Sequence, residues 1–118
     1  MTKFFPDSQL LLQDADKVTL ELDISADIAY FDGHFPQAPV LAGVTQLHWA
    51  VEYSQRYFAD LAEVASVEVL KFQTMIRPGD ILLLTLERSA ERTVLFNYLK
   101  GEQKMASGRL KWVLKTDA

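Results

Sequence analysis

Cysteine is absent from this 118-residue chain, and histidine occurs only twice, at His34 and His48. The lack of cysteine excludes a disulfide scaffold, a thiolate nucleophile and a cysteine-ligated zinc site. The two histidines do not have the spacing of an HExxH-type metal motif. We therefore expect a protein that works without a metal ion and without a cofactor.

Long apolar runs are also missing, since no stretch approaches the roughly 20 residues that a membrane-spanning helix requires. The N-terminal segment lacks the apolar core and the small-residue cleavage site of a signal peptide. The composition is 49% hydrophobic and 24% charged, with 5 Gly and 4 Pro, which is typical of a globular protein. We expect a single cytoplasmic domain over residues 1–118 that does not associate with membranes.

Positive charge is scarce in the first half of the chain. Residues 1–60 hold 3 basic and 9 acidic side chains, whereas residues 61–118 hold 9 basic and 7 acidic ones. Because nucleic acid binding needs concentrated positive charge, this balance argues against nucleic acid as a partner. A small acidic partner could dock on the C-terminal half, where Arg109 and Lys111 would share one face of a regular strand.

The apolar pattern predicts one strand, one long helix and at least four further strands. Strict alternation over residues 17–24 predicts a half-buried strand. Residues 42–58 contain no proline and are apolar over most of a helical circumference, which indicates a helix buried by a sheet. The later strands are predicted, between turn signals, over residues 64–72, 80–89, 92–100 and 104–115. This order favours an α+β fold, an antiparallel sheet wrapped around one long central helix.

The stretch FDGHFPQAPVLAGVTQLH, residues 31–48, places one histidine in a turn and the other on the helix. Together with Lys71, Phe72 and the Pro-Gly-Asp turn at 78–80, it resembles the β-hydroxyacyl-acyl carrier protein dehydratases, whose pattern is GHFP followed by PV, GV and a helix. The resemblance covers most of the chain and implies the hotdog fold. It also implies an acyl carrier protein as partner and a homodimer or a higher oligomer of dimers. In length and in the LHWA segment of its helix, the chain resembles a subgroup associated with aryl polyene lipid clusters.

The resemblance implies removal of water from a (3R)-hydroxyacyl thioester to give a trans-2-enoyl thioester. His34 would be the base that takes the C2 proton, a task that suits a neutral imidazole near working pH. The Gly43 N–H, at the start of the helix, would bind the thioester oxygen, where the positive end of the dipole also acts. The backbone carbonyl at the family position of Val40 would orient the histidine.

The catalytic acid is where the chain departs from the family pattern. Five residues after Gly43 the family has Glu or Asp, but this chain has His48. Glu52, at a position where the family usually has Gln, lies one helical turn later. Three interpretations stay open: His48 is the acid and Glu52 supports it, Glu52 itself replaces the family's acid, or the two form only a pair on the helix surface. In the family, this helix residue belongs to the other subunit.

Three functions are compatible with these residues. The first is an active dehydratase with His34 as base. The second is a hotdog thioesterase in which Glu52 activates water, although the GHFP motif argues against it. The third is a non-catalytic, dehydratase-like partner subunit that has lost the family's acid at position 48. Without the motif, His34 would be read as a loop histidine held by backbone contacts.

Overall fold

A computed structural model describes residues 3–31 and 39–117, which form one long helix packed against a six-stranded sheet. Helix α1 (Gly43–Tyr57) lies between the second and third strands, and two short 3-10 turns cover Ala29–Phe31 and Lys115–Asp117. The strands are β1 (Asp7–Gln13), β2 (Lys17–Asp23), β3 (Leu61–Phe72), β4 (Ile81–Ala90), β5 (Thr93–Lys100) and β6 (Gln103–Leu114).

The strand order is β1-β2-β4-β5-β6-β3, and each neighbouring pair is antiparallel. Strand β3, which follows α1 in the chain, lies at the edge beyond β6, and β1 forms the opposite edge. The predicted α+β arrangement is confirmed. The predicted helix and the five predicted strands lie within a few residues of their observed bounds.

Alternating side chains place one face of the sheet against the helix. In β2, Val18, Leu20 and Leu22 are fully buried, while the residues between them are partly exposed. Period-two alternation puts one set of side chains on each face of a strand. The central strands continue the same inner layer with Leu82, Leu84, Leu86, Val94, Phe96 and Tyr98. This layer forms the floor on which α1 lies.

Helix α1 buries one side of its largely apolar circumference. Trp49, Ala50 and Tyr53 are buried in the core, as a face recurring every three or four residues requires. On the opposite side, Val44 is 74% exposed, and Leu47 and Val51 are partly buried. The expectation that the helix is wrapped on most sides therefore holds for one side only. Among the described residues, no helix is both long and apolar enough to cross a membrane.

Strand β1 was not predicted from the amino-acid pattern. The run from Ser8 to Gln13 has three consecutive leucines and no period-two alternation, so its pattern gives no strand signal. Every residue of β1 is exposed, and the strand pairs with β2 through a register that shifts between Leu10 and Leu12. Backbone pairing, rather than burial of alternate side chains, therefore holds this edge.

Strand β3 exposes a row of apolar side chains along its free edge, namely Val67, Val69, Leu70 and Phe72. Its register against β6 shifts between Glu68 and Lys71, and Val69 within this bulge has a φ of 51°. A β-branched residue in the left-handed region is strained. No described segment of the chain covers this edge, and natural proteins seldom leave an apolar edge strand open.

Candidate active site

A cavity of about 420 Å³ lies at the N-terminus of α1. The segment before the helix, the first helical turn and the end of β3 with the residues that follow it all contribute to its wall. The lining residues are Val40, Leu41, Gly43, Gln46, Phe72, Gln73, Thr74 and Met75. The structure thus brings together two of the predicted site residues, Val40 and Gly43, in one cavity.

The first turn of α1 leaves the Gly43 N–H available to a ligand. Ala42, the residue before the helix, is extended and provides no side-chain cap. Its carbonyl accepts from the N–H groups of Thr45 and Gln46, at 3.1 and 3.2 Å. Within the described part of the chain, the Gly43 N–H donates to no acceptor. An unpaired N–H at the positive end of a helix dipole is suited to binding an oxygen that gains negative charge.

The ring of Phe72 stands directly over Gly43. A Cβ at position 43 would lie 2.7 Å from the ring, which is closer than packed atoms allow. Backbone hydrogen bonds fix the segments on either side, because Leu41 N donates to Ile76 O at 2.8 Å and Gln73 N donates to Met105 O at 2.9 Å. Glycine at this position therefore lets the Phe72 ring approach closely, and its backbone conformation does not call for glycine.

Gln46 is a cavity residue that the sequence analysis did not single out. It is 96% buried, and its Nε2 donates to Leu41 O at 3.1 Å. Because a carbonyl can only accept, this bond fixes the orientation of the amide. Its Oε1 is buried and has no hydrogen-bond donor among the described residues. The sequence did contain a signal for Gln46. Its spacing from Trp49, Ala50 and Tyr53 places it on the same buried side of the helix, where a polar residue is unusual.

Two buried phenols hold the inner side of α1. Tyr98 Oη donates to the carbonyl of Gln46 at 2.6 Å. Burial raises the pKa of Tyr98 well above its ordinary value, and burial also raises the pKa of Tyr53. Both phenols consequently stay neutral in ordinary buffers. They act as anchors of the helix, and neither lines the cavity.

His48 lies on a different side of α1 from Gly43. Five residues of helix turn the side chain by about 140° and carry it about 7.5 Å along the axis. The side chain is exposed and does not line the cavity, and its ring contacts that of Phe5 at a centroid distance of 5.9 Å. The structure therefore does not bring His48 to the Gly43 N–H of the same chain.

Glu52 is half-exposed one turn after His48, as its spacing predicts. No hydrogen bond or ion pair joins the two side chains in the described part of the chain. His34 and its GHFP turn fall within residues 32–38, outside the described residues. The catalytic roles of His34, His48 and Glu52, and the orienting role of the Val40 carbonyl, therefore stay predictions.

The described residues offer no metal site, since no group of three or more His, Asp or Glu side chains lies close enough to hold an ion. The two cations predicted to dock an acidic partner make contacts within the chain. Arg109 pairs with Glu68 at 3.5 Å, and Lys111 donates to Thr93 Oγ1 at 2.9 Å. Their role in docking stays a prediction.

The sequence model of the ApeI-like family, described as ApeI dehydratase, matches residues 11–109. This match spans β1 to β6 and includes the whole cavity lining. The chain belongs to the ApeI-like dehydratase family. Its resemblance to the hotdog dehydratases and to their aryl polyene subgroup is thereby confirmed.

Named relatives of this ApeI-like chain are dehydratases. It is 31% identical over 88 residues to the 3-hydroxyacyl-[acyl-carrier-protein] dehydratase FabZ of Ruminiclostridium cellulolyticum, which is 69% of this chain and 62% of that protein. The chain thus spans less than two thirds of that relative. Its structure is similar to one in the dehydratase heterocomplex ApeI:P from Xenorhabdus doucetiae, with a TM-score of 0.83 and 28% identity over 91% of this chain and 96% of the other.

The hotdog fold itself is shared more widely. A hypothetical thioesterase from Streptococcus pneumoniae, solved with coenzyme A, has a TM-score of 0.71 at 9% identity and covers 97% of this chain and 93% of its own. At this identity the likeness shows the fold alone. The predicted hotdog fold is confirmed, and the fold by itself does not separate dehydratase from thioesterase chemistry.

Replacing Gly43 tests whether the helix start is the reacting end of the cavity. In Gly43→Ala the new methyl group would meet the Phe72 ring, which is 49% exposed and can swing away. We expect the fold to survive and turnover in a dehydratase assay to be about 10- to 100-fold lower than for the unmodified protein, because the methyl group and the moved ring narrow the cavity beside this N–H. Turnover and thermal unfolding are measured together.

The matched control for Gly43→Ala is the double variant Gly43→Ala/Phe72→Ala, which removes the clash while keeping the methyl group. It should recover part of the lost turnover. If Gly43→Ala alone retains full activity, the thioester oxygen does not approach this N–H.

Proposed function

We propose that this protein is a (3R)-hydroxyacyl-[acyl carrier protein] dehydratase, which converts a 3-hydroxyacyl thioester and releases a trans-2-enoyl thioester and water. The observation that carries the proposal is the unpaired Gly43 N–H at the start of α1, which faces a cavity large enough for a thioester. Membership of the ApeI-like dehydratase family supports the same reaction. The acyl carrier protein is proposed because the FabZ relative is named for it.

The reaction needs three groups, and the chain offers a candidate for each. His34 removes the C2 proton, and the electron pair left behind places negative charge on the thioester oxygen. The Gly43 N–H and the helix dipole stabilise that charge where it develops. His48 donates a proton to the 3-hydroxyl, so that the C3–O bond breaks, the C2–C3 double bond forms and water leaves.

The position of His48 supports a site shared by two chains. His48 does not line the cavity of its own chain, so we propose that it donates to a substrate held by another copy. A twofold axis beside α1 would place the His48 side of each helix near the cavity of its partner. This geometry supports the proposal of a homodimer, or of a larger assembly built from such dimers.

The exposed apolar surface supports the same dimer. On α1, Val44 is 74% exposed and lies on the same side of the helix as His48, whereas Leu47 and Val51 on that side are partly buried against the core. The free edge of β3 adds Val67 and its apolar neighbours. Pairing two β3 edges would complete their backbone hydrogen bonds and bury both surfaces.

A charge placed on β3 tests this assembly. We expect the unmodified protein to sediment as a dimer or larger at micromolar concentration. Val67→Glu should release monomers and abolish turnover, because it buries an unpaired carboxylate in the contact. The matched control is Leu11→Glu on the opposite edge, where a comparably exposed leucine should tolerate the charge. A fully active, stable monomer of the unmodified protein would contradict the shared site.

The cavity wall suggests an extended unsaturated acyl chain as substrate. Phe72 and Met75 provide an aromatic face and a polarisable thioether at the wall, and both groups pack well against flat conjugated chains. The aryl polyene subgroup resemblance points to the same kind of substrate. We therefore propose carrier-bound 3-hydroxyacyl chains that end in an aryl polyene.

One assay separates the three functions that the sequence allows. The protein is incubated with 3-hydroxyacyl thioesters on acyl carrier protein and on coenzyme A, and both enoyl product and free thiol are measured. We expect the enoyl product without thiol release, and faster turnover on the carrier protein. Free thiol would indicate a thioesterase, and neither product would indicate a non-catalytic subunit.

Single replacements then assign the roles. His34→Ala and His48→Ala should each lower kcat by about 10²- to 10⁴-fold, the usual contribution of acid–base groups. Glu52→Gln should lower it less, and the exposed Arg56→Ala on the same helix should leave it unchanged. If His48→Ala keeps near-full activity while Glu52→Gln loses it, Glu52 is the acid and the assignment of His48 is wrong.

A further inference from the structure

Residues 3–6, which we term the N-terminal strap, cross helix α1 beside His48. The strap is pinned at its first residue, because Lys3 bridges Ile28 in parallel and its carbonyl accepts from Ala29 N at 2.6 Å. The Lys3 ammonium also contacts the side chains of Ser25, Asp7 and Asp27, at 3.1, 3.3 and 3.7 Å. The strap is therefore held to the segment between β2 and α1 before it reaches the helix.

The strap is also tied to the helix itself. Trp49, which is fully buried, donates its Nε1–H to the carbonyl of Phe4 at 3.0 Å. The following ring, that of Phe5, packs among three helix rings. Its centroid lies 5.9, 6.4 and 5.9 Å from those of His48, Trp49 and Tyr53. Phe5 thus spans more than one turn of α1 at the level of His48.

The three rings that Phe5 contacts differ in how far the core already holds them in place. Trp49 is fixed by the core and by its hydrogen bond to the strap. Tyr53 is buried between α1 and the sheet. His48 is exposed, and an exposed side chain samples several rotamers unless a neighbour restricts it. The Phe5 ring, tilted by 39° to the imidazole, covers one side of it. Phe5 therefore contacts the one ring of the three that is exposed, and this contact restricts the orientations of that ring.

We propose that Phe5 is a positioning residue for dehydration, and that its ring holds the His48 imidazole in the orientation from which it donates to the substrate in the partner's cavity. The inference rests on the proposed role of His48 as acid. A donor that must serve a site in another chain gains from being held in place, because a misplacement of about 1 Å can cost about 100-fold in rate. The anchoring of Lys3 and Phe4 gives Phe5 the rigid support that such a role requires.

The test compares a variant that removes the ring with one that keeps it. Phe5→Leu retains an apolar side chain and should lower kcat about 10-fold while leaving KM nearly unchanged, because the substrate still binds. Phe5→Tyr should restore most of the rate. The control is Phe58→Leu, which removes a buried ring at the far end of α1 and should cost stability without a specific loss of kcat.

Proton NMR of the His48 ring gives a readout that a merely structural role would not produce. In the intact dimer the His48 ring protons should carry the ring-current shift of Phe5, and this shift should disappear in Phe5→Leu and persist in Phe58→Leu. All rates are compared at a temperature where circular dichroism shows every variant folded.

The outcomes separate this inference from the proposed function. If His48→Ala abolishes turnover and Phe5→Leu retains full kcat, the positioning role is overturned and the acid role stands. If His48→Ala is fully active, the acid role fails, and the positioning role fails with it. A loss of kcat in Phe5→Leu that Phe5→Tyr does not restore would also overturn the inference, since the ring would then not be the cause.

Discussion

The close contact between Gly43 and the Phe72 ring is the constraint on which the cavity depends. It joins the start of α1 to the end of β3, two segments far apart in sequence, and leaves no room for a Cβ between them. The helix begins at this contact, and the unpaired N–H of Gly43 lies in the cavity that Phe72 also lines. The oxyanion-binding group of the proposed site is thus a backbone N–H, and packing of the helix start against β3 positions it without any functional side chain.

The same packing fixes the rotation of the helix. Trp49 and Tyr53 are buried against the sheet, so the side chains about half a turn away must face outward. His48 is among them, beside the exposed Val44 and in contact with Phe5 of the N-terminal strap. One chain therefore has an unpaired N–H at the N-terminus of α1 on one side of the helix and a candidate proton donor, His48, on another. In the proposed dimer, two chains related by a twofold axis would combine them and would cover the exposed Val44 beside the donor.

Periodicity predicted most of the fold, because β2, β4, β5, β6 and the buried side of α1 owe their positions to side-chain burial. Strand β1 could not be predicted this way, since its exposed Leu10–Leu12 run is held by backbone pairing. The motif identified Val40 and Gly43, and the structure brings them together. Gln46 was missed because its place depends on the tertiary contact with Leu41 O. The resemblance identified His34 and His48, but which chain supplies each depends on an assembly that no single-chain pattern encodes.

The central claim is that each active site combines residues of two chains. It is tested most directly by mixing His34→Ala and His48→Ala proteins after reversible dissociation and measuring dehydratase activity. Each mixed dimer would hold one intact and one doubly altered site, so statistical exchange should restore about a quarter of the unmodified activity in a twofold-symmetric assembly. If the two inactive proteins exchange subunits, as mass spectrometry of labelled chains can show, and the mixture stays inactive, both histidines serve the same chain and the account is contradicted.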